Sequence, residues 1–124
     1  MGLWKASSVK DCPRIQLTEW KIYEASSPLW EGRTRHFSGY NLTEYEGRAS
    51  SAIKDIDKDA LIGITESGRI YELVSDRITM NQIADADYVW GWYSTRNQLF
   101  NIVDVSEEYI KEVNDGRGSK SLDS

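Results

Sequence analysis

Between Leu61 and Val74, two runs rich in apolar and β-branched residues, LIGIT and RIYELV, flank Ser67-Gly68. This spacing predicts a tight hairpin, because glycine supplies the positive φ that such a turn needs. The longer stretch Gly47–Val74 reads as three antiparallel strands in a row. A hairpin of this size is not stable alone, so other elements must cover one of its faces. Upstream, RIQLTEWKIYE (Arg14–Glu24) has strand composition, but its alternation slips near Thr18. Ile15 and Leu17 share one face and Trp20 and Ile22 the other, which points to a bulge or bend. The loop Ala25–Gly32 carries an unsupported Leu29-Trp30 pair, and Arg33–Asn41 reads as a second strand paired back on the first.

After Val74 the period changes from two to that of a helix. Over Ile83–Asn97, residues Ile83, Ala86, Val89, Trp90 and Tyr93 fall within an arc of about 120°, the stripe expected to pack on the sheet. LFNIVDV is expected to add a last strand. A final helix, SEEYIKEV, is then capped by Asp104 or Ser106, with Glu107 placed as in a capping box. The Gly/Ser-rich run Asn114–Ser124 is expected to be a disordered tail, leaving residues 1–113 as one globular domain. The fold class predicted is α+β: an antiparallel sheet of about five strands, built on a central meander, with one or two helices on one face.

Composition narrows the function classes. The chain has 15 Lys and Arg against 20 Asp and Glu, a net charge of −5. Residues 1–54 hold eight basic and six acidic residues, and residues 55–124 hold seven and fourteen. That balance argues against nucleic acid as a partner. Apolar runs are broken by charge well short of a membrane span, and the N-terminus lacks a signal-peptide run. The expectation is a soluble cytoplasmic protein without a membrane partner. The single cysteine, Cys12, excludes an internal disulfide and a cysteine-rich metal site. Gly2 lacks the Ser or Thr that myristoylation wants at Ala6, and Asn41-Leu42-Thr43 is a sequon that matters only on secretion.

Three groups of residues carry candidate chemistry. Asp55, Asp57, Asp59 and Glu66 occupy positions 1, 3, 5 and 12 of an EF-hand loop, with Ile62 at the apolar position 8. Position 6 holds Ala60 where the sharp turn needs glycine, and Ser67-Gly68 stands where an exit helix is required. The plainer reading is a polar turn, KDIDKD, between two strands, with no metal and no cofactor. His36 is the sole histidine, so histidine catalysis would run through it. In a strand it shares a face with Thr34, Ser38 and Tyr40, with Arg33, Arg35 and Phe37 opposite. The plainer reading places His36 at a polar strand edge; a pairing with Cys12 has no local signature. In the predicted helix, Tyr88 and Trp92 lie nearly opposite the packing stripe. Either the N-terminal segment (Trp4) or Leu29-Trp30 covers them, or they form an interface.

Three segments, GRASSAI (Gly47–Ile53), TESGRIYEL (Thr65–Leu73) and ADYVWGWY (Ala86–Tyr93), resemble in order and spacing a group of short bacterial proteins, some carried on mobile elements, with no assigned activity. The resemblance covers roughly half the chain and implies a compact bacterial domain; it transfers no functional residue. The functional expectations are two. The first is a non-enzymatic binding or regulatory protein that meets a protein partner or itself through an aromatic patch of Tyr88, Trp92 and Trp30. The alternative is a small enzyme or small-molecule-binding domain with a pocket between sheet and helix, reached by Arg35, His36 and Tyr40.

Overall fold

A computed structural model describes residues 9–110. The strands are β1 (Arg14–Ser26), β2 (Arg33–Asn41), β3 (Glu46–Ala49), β4 (Ile53–Asp57), β5 (Ile62–Thr65), β6 (Ile70–Leu73) and β7 (Phe100–Asp104). One α-helix, α1 (Met80–Arg96), precedes β7, and a 3-10 turn at Ser106–Tyr109 follows it. The expected tail, Trp4 and the end of the expected final helix lie outside the described residues.

The architecture is α+β, but the sheet is mixed and larger than expected. Its order is β3-β2-β1-β6-β5-β4, with β7 also pairing β1. β6 runs parallel to β1, with Ile15 opposite Tyr71 and Leu17 opposite Leu73. Periodicity identifies strands but not which distant edge each one finds, so an all-antiparallel meander was the wrong topology. The hairpin β5–β6 forms as read, with Gly68 at φ +94°. The stretch Gly47–Ile53 does not form a single strand. β3 pairs with β2 at one edge of the sheet, and β4 pairs with β5 at the other.

The predicted irregularity in β1 is present. The β1–β2 register shifts between Thr18 and Lys21, and Glu19 has φ +48°. The inserted residue brings Ile22 back to the face of Ile15 and Leu17, opposite Phe37. These residues join Tyr71, Leu73, Val105 and Tyr109 in the buried core. The sheet curls around Phe37: a Cβ on Gly63 of β5, three strands away in the sheet order, would stand 2.5 Å from the Phe37 ring. At one end of this core the fully buried Arg48 pairs with Glu44 at 3.0 Å and Glu46 at 2.8 Å. Burial raises the Glu46 carboxyl above its ordinary value, against the pull of Arg48.

The helix covers the opposite face of β2 and β3. A capping box closes its start, with Gln82 N donating to the Thr79 hydroxyl and Thr79 N donating to the Gln82 side chain. Ala86 and Val89 are buried and Ile83, Trp90 and Tyr93 half-buried, so the predicted stripe packs on the sheet. The expected second helix is one 3-10 turn over the described residues. Its N-cap, Val105, has no side-chain cap. Asp104 instead accepts both the N–H and the hydroxyl of Ser106, which consumes the group that would have capped a helix.

Helix and sheet come into close contact at Gly47, whose N–H donates to the Asp85 carboxylate at 3.0 Å. A Cβ there would lie 2.5 Å from the Asp85 carbonyl oxygen, whereas one at Gly91 in the same helix would meet nothing within 4 Å. Gly47→Ala should therefore destabilise by about 1–3 kcal/mol through forced displacement of the helix. Gly91→Ala should stabilise by roughly 0.5–1 kcal/mol through helix propensity alone. Urea unfolding of the two variants checks the opposite signs; equal effects would show that the helix does not seat on Gly47.

Candidate functional site

Alternation along β2 turns Thr34, His36, Ser38 and Tyr40 toward the helix and Phe37 toward the core. β2 lies inside the sheet, between β3 and β1, so His36 is fully buried and not at a polar edge. Its Nδ1 lies 2.9 Å from the Ser50 carbonyl oxygen. A carbonyl can only accept, so Nδ1 carries the proton and donates it. Nε2 is then an acceptor and receives the Thr34 hydroxyl at 2.7 Å. With both nitrogens engaged, the ring has no free position for a metal or a transferred proton.

Ser50 holds its side of this contact through three further bonds. Its N–H donates to the Phe37 carbonyl, its hydroxyl accepts the Phe37 N–H, and that hydroxyl donates to the Ser51 carbonyl. Around the imidazole stand Tyr93 at 5.6 Å, Trp30 at 6.2 Å and Trp90 at 6.4 Å between ring centroids. Trp90 also stacks on Tyr23, the residue opposite His36 in β1, at 4.5 Å. Burial pushes the Tyr93 phenol up to about 12, with a smaller contribution from Tyr71.

Above His36 lies a cavity of about 370 Å³, within the size range of small-molecule sites. Trp30, Tyr93 and Ala52 form its apolar walls, Thr34 and Ser51 add hydroxyls, and Glu31 and Glu66 supply its charge. Three connections meet there, and each is tied down by a serine. The Ser27 hydroxyl donates to the Asn97 carbonyl at the end of the helix and accepts the Leu29 N–H, fixing the loop that carries Trp30. The Ser51 hydroxyl accepts the Ser67 N–H, and the Ala52 carbonyl accepts the Glu66 N–H. The indole N–H of Trp30 is buried and has no hydrogen-bond partner among the described residues.

The structure regroups the residues that the sequence put together. Of the ligand-binding trio, His36 alone lines this cavity. Arg35 projects to the opposite face, donating to Glu24, Glu108 and the Tyr109 hydroxyl. Tyr40 is buried beneath a separate depression beside Asp85 and Tyr88. Of the aromatic trio, Tyr88 and Trp92 share the outer side of the helix with Gly91, Thr95 and Arg96, and Trp30 belongs to the His36 cavity. Arg96 lies over the Trp92 ring at 5.5 Å.

The four carboxylates considered for calcium do not converge. Asp55 and Asp57 lie on strand β4, so KDIDKD is only partly a turn, and the Asp57 carboxylate accepts the N–H groups of Asp59 and Ala60. Glu66 lies beyond β5, at the cavity. No group of three or more His, Cys, Asp or Glu placed to hold a metal occurs among the described residues. Cys12 belongs to the core cluster and is not brought to His36. Glu31 stands in a connection with no motif, and Ser51 lies within GRASSAI, a segment whose resemblance assigned no role to any residue. Tyr93 was visible as part of the helical stripe, but as packing.

No protein family, curated protein or solved structure matched the chain. Among the described residues no helix is long and apolar enough to cross a membrane.

Burial lowers the pKa of His36 from its ordinary value of 6.5, against a smaller upward pull from the Ser50 carbonyl. The unfolded chain thus takes up the proton first as pH falls. The contribution of the neutral ring is complete above pH 6.5 and is lost progressively below it. Followed by NMR, the His36 ring protons should therefore titrate at a lower pH than those of a free imidazole. Titration at the free-histidine midpoint would show an open, solvated ring.

Proposed function

We propose that this protein is a small-molecule-binding domain whose ligand sits in the cavity over His36. The observation that carries this reading is the neutral, doubly hydrogen-bonded imidazole lying under an aromatic-walled cavity. A mainly apolar pocket with a few fixed polar groups is the usual form of a ligand site. His36 acts in it as a rigid floor and not as a base, because its two nitrogens are held by Thr34 and Ser50. A panel of small metabolites should contain compounds that raise the melting temperature, since any ligand of the native state does so. The same compounds should shift the Trp30 indole N–H and the His36 ring signals. Ligands that shift Tyr88 and Trp92 instead would remove this reading.

A second reading is self-association through the outer helix face. It is favoured by Tyr88, which is 59% exposed beside Trp92. Trp92→Ala should then weaken a concentration-dependent dimer in sedimentation while changing stability by less than about 1 kcal/mol. A monomer at all concentrations, in wild type and variant alike, would leave the cavity as the sole candidate site.

A further inference from the structure

We infer that the cavity over His36 takes a small organic cation, an ammonium group on a short aliphatic body; this rests on the cavity being the ligand site. The first observation is the sign of its charges. Among the described residues Glu31 and Glu66 are its charged lining residues, and no Lys or Arg lines it. The nearest cation along β2, Arg35, is committed to Glu24 and Glu108 on the other face of the sheet.

The second observation is that these two carboxylates are unpaired. Glu24, Glu44, Glu46, Glu72 and Glu108 each meet an arginine. The side chains of Glu31 and Glu66 make no ion pair or hydrogen bond among the described residues. Two uncompensated carboxylates at a concave site focus a negative potential into it, which attracts cations and repels anions.

The third observation is the walls. Trp30 and Tyr93 line it with aromatic rings, and the negative quadrupole of such rings attracts an ammonium group, most strongly for Trp. The imidazole does not oppose this, because its N–H is turned to the Ser50 carbonyl. A metal ion is a poorer occupant: calcium takes six to eight oxygen ligands, and the described lining offers two carboxylates and two hydroxyls already engaged in hydrogen bonds.

The test compares three ligands of one shape on the full chain: choline, its neutral isostere 3,3-dimethylbutan-1-ol, and the anion 3,3-dimethylbutanoate. Binding is followed by the Trp30 indole N–H and His36 ring signals. Choline should bind saturably and about tenfold more tightly than the neutral isostere, and the anion should bind most weakly. The double variant Glu31→Gln, Glu66→Gln, with an unchanged melting temperature, should lose most of that preference while still binding the neutral compound. If the neutral isostere binds as tightly as choline, the cation inference falls and the cavity remains the ligand site. If all three ligands shift only Tyr88 and Trp92, both fall. If none binds, the cation inference falls, and the metabolite panel judges the cavity separately.

Discussion

The structure depends on one extra residue in one strand. β1 must present a continuous apolar face to the core while serving three partners, and a regular strand of its sequence cannot do so. The shift between Thr18 and Lys21 resets the alternation, so that Ile15, Leu17 and Ile22 all point inward. It also divides the outer edge of β1. Before the shift that edge receives β6 in parallel; beyond it, β7 pairs antiparallel with Tyr23–Ser26. A bulge bends its strand and re-aims the side chains beyond it. Here the consequence reaches the site, because Tyr23 faces the helix only through the reset, and Tyr23 stands opposite His36 and supports Trp90.

Two polar side chains are buried on opposite faces of the same sheet, and they are stabilised differently. Arg48 remains charged in the core by meeting two carboxylates, an arrangement whose loss of one partner typically costs about 3–5 kcal/mol. His36 is kept neutral by burial and spends its two nitrogens on a carbonyl and a hydroxyl. A neutral ring needs no counter-ion, so the carboxylates nearest it are free to act on something else. This separates Glu31 and Glu66 from the structural glutamates that hold arginines.

Much of the local structure was legible because it is governed by near neighbours. The Ser67-Gly68 turn, the slip near Thr18 and the helical stripe through Ala86 and Val89 all follow from backbone and side-chain periodicity. The topology was not, because the parallel pairing of Ile15 with Tyr71 joins segments that share no local signal. The break between β3 and β4 was hidden for a similar reason. Ser50-Ser51 resembles strand continuation until its hydroxyls are seen to bond backbone groups of Ser51 and Ser67. His36 was placed on the correct face with Thr34, but its burial depends on β3 and the helix, which no pattern within β2 announces. Trp30 was recognised as unsupported and assigned to the wrong neighbours, since a loop has no period from which to read direction.

The site therefore lies where secondary structure gives least information, among connections, yet it is not loosely built. Ser27 ties the first connection to the end of the helix; Ser51 ties the second to the third. The strand beneath is fixed by the Ser50–Phe37 bonds. Such tethers order the walls before any ligand arrives, and a preformed site loses less conformational entropy on binding than one that must close. On the outer face of the helix Tyr88 stands exposed, and the Arg96 guanidinium lies over the Trp92 ring. A cation already occupying that ring weakens the face as an apolar anchor. The rings of Trp30 and Tyr93 instead line the cavity beside two carboxylates that hold no arginine among the described residues, which is the basis of the cation inference.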